Sequence, residues 1–180
     1  MPELLIKKAI GLDSKILSEM SKTTFYQTYV AIHPENTGLL KAYTEEHFSE
    51  AKVLEQLQSP EVSFYLAQLG AEVVGYMKTV QGEAPAQVKS LPSLALEKLY
   101  VRLEHQGKSV GQRMFDFLRP VAQGLGYESI WLSVYENNQG ALEFYRKNGF
   151  AVVGETDFVY FWNGSEYRDR DKLMVHKFSL

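Results

Sequence analysis

Cysteine is absent from this chain of 180 residues. Its absence excludes disulfide bonds, thiolate metal sites and a cysteine nucleophile within this sequence, and it is typical of a reducing compartment. Long hydrophobic runs are also missing, because no stretch approaches the roughly eighteen apolar residues that a membrane-spanning helix needs. The opening residues, MPELLIKKAI, lack the apolar core and cleavage site of a signal peptide. We therefore expect a cytoplasmic protein with no membrane partner.

An excess of charge of either sign is also missing. The chain has 19 Lys and Arg against 22 Asp and Glu, a formal net charge of -3 and a pI near 5.8. Since nucleic-acid-binding surfaces are usually basic, we expect no nucleic-acid partner. His33, His105 and His176 lie scattered without the spacing of metal ligands, so we expect no metal. No linker or repeat divides the chain, and we interpret residues 1–180 as a single domain.

Hydrophobic periodicity predicts short strands alternating with amphipathic helices. Helices are expected after Asp13, after Ser49, from Val110 and over 139–148, with Pro120 kinking or shortening the third of them. A turn around Asn163-Gly164-Ser165 is expected to join the last two strands. The predicted strands are 4–9, 62–68, 73–80, 94–103, 129–135, 150–161 and 172–178. Strands outnumber helices and hairpins mix with crossovers, which favours an α/β (α+β) class with a mixed sheet covered by helices.

A loop of small residues separates one predicted strand from the helix that follows. The strand includes Glu97-Lys98-Leu99-Tyr100-Val101, and the loop reads Gln106-Gly107-Lys108-Ser109-Val110-Gly111. Such a loop presents several backbone N–H groups in one direction, with the positive end of the helix dipole behind them. This pattern favours a site for a phosphate-bearing ligand; taken alone, it also fits a plain tight turn.

A second block follows the predicted strand 129–135. It reads Asn138-x-x-Ala141-x-x-x-Tyr145-x-x-x-Gly149-Phe150, which puts an Asn and a Tyr on one short helix where both can face the same ligand. Asn138 is expected to cap that helix, with Asn137 as the alternative if the register differs by one. Gly149 predicts a left-handed C-cap.

The two blocks together resemble the GCN5-related N-acetyltransferase (GNAT) superfamily. Its loop pattern is Arg or Gln, two residues, Gly, one residue, then Gly or Ala, and only Ser109 departs from it. The resemblance implies a GNAT-like, mostly antiparallel twisted sheet of about six or seven strands flanked by about four helices. Several stretches, among them Thr24-Phe25-Tyr26 and Trp131 to Asn138, also look like bacterial PaiA-like polyamine N-acetyltransferases. That likeness implies spermidine, spermine or another small amine as the acceptor.

The resemblance implies that acetyl-CoA is the cosubstrate. Its pantetheine is expected to pair with backbone of Leu99, Tyr100 and Val101. Asn138 and Tyr145 are expected to contact the coenzyme too. The expected pyrophosphate-binding residues form the loop and first helical turn: Gln106, Gly107, Lys108, Ser109, Val110, Gly111 and Gln112.

Two residues are expected to act in catalysis. Tyr145 can donate a proton or hydrogen bond to the leaving thiolate; the plainer alternative is that it packs on the sheet beside Phe144. Glu97 stands where relatives place a carboxylate that deprotonates the incoming ammonium. It could instead neutralise a polyamine or form a structural ion pair.

The acceptor pocket is expected in the helical region before Pro60. Its aromatic residues can hold a cationic amine by cation–π contact, with Glu45 and Glu46 adding attraction, although ordinary packing is the commoner role of such residues. The expected pocket residues are Phe25, Tyr26, Tyr29, Tyr43, His47 and Phe48. The alternatives are an acetyltransferase acting on protein N-termini or lysines, and a non-catalytic acyl-CoA sensor. Relatives often form homodimers, and the strand 172–178 is the expected exposed edge.

Overall fold

The computed structural model describes residues 3–89, 91–162 and 164–178, and for Trp162 the backbone alone. Within these residues lie seven strands and five α-helices. In chain order they are β1 (Leu4–Lys8), α1 (Ser14–Ile32), α2 (Thr37–His47), α3 (Glu50–Gln58), β2 (Val62–Leu69), β3 (Glu72–Val80), β4 (Ser93–Val101), α4 (Val110–Gly124), β5 (Ser129–Tyr135), α5 (Gln139–Lys147), β6 (Ala151–Trp162) and β7 (Ser165–Lys177). The predicted turn residue Asn163 lies outside the described residues.

The strands form one mixed sheet in the order β1-β2-β3-β4-β5-β7-β6. Strands β4 and β5 pair in parallel, while β1–β2, β2–β3, β5–β7 and β6–β7 pair antiparallel. The predicted class, a mostly antiparallel sheet covered by helices, is confirmed.

Two compact units divide the chain. The first comprises residues 1–81 and 97–118, and its core includes Leu17, Met20, Phe64 and Leu66. The second comprises residues 82–96 and 119–180, with Ile130, Leu132, Leu142 and Met174 buried. The boundaries fall inside β4 and α4, so both elements contribute residues to both units. The single-domain interpretation stays a prediction.

Two helical features differ from the sequence expectation. Helix α2 was missed, because its residues lack a clear apolar stripe and only Leu39, Leu40 and Thr44 are buried. Helix α4 continues past Pro120 to Gly124 instead of shortening there. Pro120 is exposed, so its ring projects from the solvent side of the helix.

The prediction that the strand 172–178 forms an exposed edge of the sheet was wrong. Strand β7 lies between β5 and β6, and β6 is the edge strand at this end of the sheet. Leu173, Met174 and Val175 are consecutive and all buried, as in a strand covered on both faces. Most of β6 is exposed. No helix among the described residues has the length and apolar character to cross a membrane.

Candidate functional site

The loop before α4 has the backbone shape of an anion cradle. Gly107 and Ser109 both have positive φ, +70° and +61°, within the turn formed by residues 106–109. The first helical hydrogen bond described in α4 runs from Arg113 N to Ser109 O at 3.0 Å. By helix geometry the N–H groups of Val110, Gly111 and Gln112 then have no partner inside the helix. Three donors at the positive end of a helix dipole can bind a phosphate.

The backbone conformation at Ser109 is one that favours glycine, the usual residue of the family pattern at this position. Among the described residues Ser109 is the one non-glycine residue with positive φ, and it is exposed. A side chain in the left-handed region costs roughly 1–2 kcal/mol per residue. The loop therefore adopts the left-handed conformation at this position although it has a serine there and not a glycine.

The end of β4 is held closely against β3. A Cβ added at Gly75 would lie 2.9 Å from the carbonyl oxygen of Tyr100 and 3.1 Å from Met114 Sδ, so the strand approaches too closely for any side chain there. The Tyr100 ring also stacks on Tyr76, with centroids 5.7 Å apart. Glycine at position 75 therefore permits Tyr100 and Val101 to approach β3 this closely.

Gln106 acts within the chain itself. Its side-chain Nε2 donates to the carbonyl oxygen of Val101 at 3.1 Å. Arg102 is tied to β3 through a bond from its backbone N to Val74 O at 2.9 Å. The passage from β4 into the loop is thus braced by hydrogen bonds on two sides.

Glu97 contacts two lysines. Lys78 Nζ donates to Glu97 Oε1 at 2.8 Å, and Lys98 Nζ lies 3.5 Å from the same oxygen. The Lys78 side chain is 8% exposed and that of Glu97 is 41% exposed. Burial acts to raise the pKa of Glu97, but the charges of Lys98 and Lys78 outweigh it and hold the pKa below its usual value. Glu97 is therefore ionised at neutral pH and is a weaker base than an ordinary glutamate.

Five of the six predicted pocket residues form one aromatic cluster: Phe25, Tyr29, Tyr43, His47 and Phe48. The Phe25 ring lies 4.4 Å from Tyr29, 5.1 Å from Tyr43 and 5.2 Å from Phe48, centroid to centroid. His47 joins through Tyr43 at 4.2 Å. Tyr26 is half-buried, and no ring contact of it is described.

Glu97 and its lysines lie beside this aromatic cluster. The Lys98 ammonium lies 5.1 Å from the centroid of Phe48. Burial, together with the charges of Glu97 and Glu46, raises the pKa of Tyr43 to about 12. The first unit thus brings the predicted base and most of the predicted pocket residues together.

Asn138 in the second unit is the N-cap of α5. Its Oδ1 accepts a hydrogen bond from Ala141 N at 3.2 Å, which leaves the side-chain amide as a donor. Asn137 instead donates to the Tyr135 hydroxyl at 2.9 Å, so the cap stands at position 138 as predicted. Gly149 has φ +79°, as expected of the left-handed C-cap.

Tyr145 is buried on α5, with its ring in edge contact with Phe144 and Phe150, both at 5.3 Å. Burial raises its pKa, so the phenol remains protonated at neutral pH. It can therefore donate a hydrogen bond. The Tyr145 ring packs beside Phe144, as the plainer alternative expected. The chemical role of its hydroxyl stays a prediction.

Sequence reasoning missed the roles of Lys78 and Lys98. The signal available in the sequence was a lysine at position 78 within the mostly apolar run of β3. In the structure Lys78 lies opposite Phe64 of β2. A lysine in a buried strand needs an anionic partner, and Glu97 is that partner.

The sequence predicted that His105 lies apart from other possible metal ligands, but the structure places it beside two carboxylates. Its side chain groups with Glu72 and Glu104, with one candidate ligand atom from each within 4.8 Å of the others. Both carboxylates are exposed, and exposed acidic groups commonly cluster without an ion. The absence of a metal stays a prediction.

Comparison with known proteins gives a family match. Residues 24–150 match the family described as the acetyltransferase (GNAT) family. The chain is 27% identical over 156 residues to an N-acetyltransferase of Lactobacillus delbrueckii subsp. lactis, which covers 84% of this chain and 88% of that protein.

Two solved structures share the fold. The first is the PaiA N-acetyltransferase from Thermoplasma acidophilum in complex with coenzyme A, with a TM-score of 0.76, 22% identity, and 98% and 99% of the two chains covered. The second is the spermidine N-acetyltransferase from Vibrio cholerae in complex with CoA and spermine, with a TM-score of 0.69, 17% identity, and 97% and 95% covered. At these identities the likeness concerns the fold alone.

Proposed function

The chain belongs to the acetyltransferase (GNAT) family, and from this premise we propose that it transfers an acetyl group from acetyl-CoA to a primary amine of a small molecule. The observation that carries the proposal is the loop geometry. Positive φ at Gly107 and Ser109 leads directly into α4, whose first N–H groups have no partner in the helix. These donors fit the pyrophosphate of the coenzyme. The backbone of Leu99 to Val101 is the proposed partner of the pantetheine.

In the proposed reaction the amine attacks the thioester directly in a ternary complex. Only the neutral amine is nucleophilic, so Glu97 accepts the ammonium proton, directly or through water. Its lowered pKa keeps the carboxylate ionised, so that it attracts the ammonium, and also makes the proton transfer to it uphill. As the new N–C bond forms, the C–S bond breaks and its electron pair goes to sulfur, and the nitrogen releases its second proton to water to leave the neutral amide.

Tyr145 then stabilises the sulfur that leaves. A thiol has a pKa near 8.5, and burial places the phenol above its ordinary pKa near 10. Complete proton transfer from the phenol to a thiolate is therefore uphill. We infer that Tyr145 donates a hydrogen bond to the sulfur, while solvent supplies the proton as product leaves.

The acceptor is the finer part of the proposal. The PaiA-like resemblance and the spermine complex of the Vibrio cholerae relative support polyamines as the first acceptors to test. The aromatic cluster supports an enclosed pocket for a small molecule rather than an open groove for a protein segment.

The direct test is a thiol-release assay with acetyl-CoA against polyamines, amino acids, aminoglycosides and peptides with free N-termini. Release with any small amine supports the proposal. Release with peptides alone would replace it by protein acetylation. Binding of acetyl-CoA without release from any acceptor would favour a sensor.

Tyr145→Phe tests the mechanism within the same assay. We expect turnover to fall by about 10- to 100-fold, as for the loss of one hydrogen bond to a charged group, while the affinity for acetyl-CoA stays near that of the wild type. Tyr167→Phe is the matched control, since Tyr167 also lies in the second unit and stacks on Tyr160 at 5.4 Å. Unchanged turnover of Tyr145→Phe would remove the phenol from the mechanism.

A further inference from the structure

The groups around Glu97 carry more positive than negative charge. Two ammonium groups, Lys78 and Lys98, face the single carboxylate of Glu97 through its Oε1 atom. Two positive charges and one negative charge leave a formal excess of +1 at this place. An incoming polyamine would bring further positive charge to it.

The two lysines are not equally engaged. Lys78 Nζ makes a 2.8 Å hydrogen bond and its side chain is almost fully buried. The Lys98 side chain is also largely buried, with 19% of it exposed. Its Nζ nevertheless lies 3.5 Å from the carboxylate, at the limit of a hydrogen bond. Its other described contact is the face of Phe48. Glu97 can therefore stay paired with Lys78 while Lys98 serves another anion.

Burial makes this incomplete pairing costly. An ammonium taken largely out of water needs a close anionic partner. Burial lowers the pKa of Lys98, the positive charge of Lys78 adds to the effect, and Glu97 opposes it without cancelling it. An anion bound to Lys98 would remove the cost.

Glu45 and Glu46, the two carboxylates expected to attract an acceptor ammonium, are both exposed. Glu45 is exposed and already paired with Lys22. Glu46 is also exposed, so water and salt screen its attraction. The aromatic cluster supplies an apolar wall rather than a second negative site.

We propose that Lys98 binds a carboxylate of the acceptor, so that the acceptor is an amine of the amino-acid type, with an apolar or aromatic body, rather than a polyamine. This inference rests on the proposed function, because it takes the surroundings of Glu97 to be the acceptor site. The neighbouring charges of Glu97 and Lys98 complement the ammonium and carboxylate of one zwitterion. The aromatic cluster receives the body of the molecule.

Two acceptors of nearly equal shape test the inference in the wild-type protein. L-phenylalanine carries the carboxylate, whereas L-phenylalaninamide replaces it by a neutral amide. We expect kcat/KM for acetylation to be about 10- to 100-fold higher for the acid, as for a charge-assisted hydrogen bond. The amino group of L-phenylalaninamide is less basic than that of L-phenylalanine, so a larger share of it is neutral at a given pH. A preference for the acid therefore cannot come from a greater supply of neutral amine.

Lys98→Met removes the charge and keeps an apolar chain over Phe48. We expect it to raise KM for L-phenylalanine and to abolish the preference for the acid over L-phenylalaninamide. Its effect on the pKa of Glu97 concerns both acceptors alike, so the ratio of their kcat/KM values is the readout. Lys98→Arg should retain the preference, and Lys22→Met, at an exposed ion pair, should not alter it.

The contrary results are distinct. Equal or better use of the amide or of spermidine by the wild type would overturn the inference while leaving acetyl transfer intact. An equal loss for both acceptors in Lys98→Met, with wild-type affinity for acetyl-CoA, would assign Lys98 a structural role and overturn it too. No acetylation of any amine would instead defeat the proposed function.

Discussion

At the scale of single residues, the charges around Glu97 bear on both its proposed chemistry and the stability of the protein. Lys78 is buried deeply enough to need this carboxylate, so a residue expected to act in catalysis also balances a charge in the protein interior. The same pairing lowers the pKa of Glu97 and makes it a weaker base. A change at position 97 will therefore have two effects, and they must be measured separately.

Glu97→Gln should destabilise the protein at pH 7 by roughly 1–3 kcal/mol, with the partial exposure of Glu97 favouring the lower end. The folded-state pKa of Glu97 is lowered, so its contribution is present above the unfolded pKa of about 4.3 and is lost as pH falls through the folded pKa. The difference in Tm between wild type and variant should thus shrink below about pH 4.

Thermal unfolding of both proteins at pH 7 and in acid measures this difference. Glu45→Gln, at an exposed ion pair with Lys22, is the control and should change stability little. An equal Tm for wild type and Glu97→Gln at pH 7 would mean that Lys78 does not depend on Glu97.

Ser109→Gly should stabilise the protein by about 0.5–1 kcal/mol, because glycine adopts the positive φ of this position without strain. The gain is smaller than the strain, since glycine also makes the unfolded chain more flexible. Ser59→Gly is the matched control at a position with φ -72°, and it should be neutral or destabilising. Equal Tm changes for the two variants would show that Ser109 is not strained.

At the scale of elements, the contact of β3 with β4 depends on one glycine. Gly75→Ala would bring its Cβ within 2.9 Å of the Tyr100 carbonyl oxygen, and this backbone atom cannot move aside as a flexible side chain would. We expect a loss of about 1–3 kcal/mol.

The free energy of unfolding in denaturant measures that loss. Gly38→Ala in α2, where an added Cβ meets nothing within 4 Å, should be as stable as the wild type or up to about 1 kcal/mol more stable. A Gly75→Ala variant as stable as this control would show that β4 can shift freely.

At the scale of the whole molecule, ligand binding should appear as stability. Acetyl-CoA at about one hundred times its Kd should raise the free energy of unfolding by about 2.7 kcal/mol. Gly111→Asp should reduce that gain, because it places a negative charge among the proposed phosphate donors. An Asp at a helix N-terminus favours the helix itself, so the variant should still fold.

Thermal unfolding with and without acetyl-CoA provides the measurement. Gly38→Asp is the matched control, since Gly38 and Gly111 are both second residues of their helices. A stabilisation by acetyl-CoA that is equal in Gly111→Asp and the control would contradict the assignment of the loop.

The local features of the site could be predicted from short stretches of sequence. Strand β5 at Ser129–Tyr135, the Asn138 cap and the left-handed Gly149 depend on residues within a few positions of one another. Their physical causes are hydrophobic alternation, one side-chain hydrogen bond and the freedom of glycine, all visible in the sequence.

By itself the sequence determined the class of fold, the order of most elements and the family pattern of the loop. Only the tertiary structure decided that β7 is an inner strand, that Gly75 touches β4, and that Lys78 and Lys98 meet at Glu97. The reason is physical: strand order, close approach and the pairing of buried charges join residues far apart in the chain. Lys78 and Glu97 are nineteen positions apart, and no local pattern specifies that such residues become neighbours.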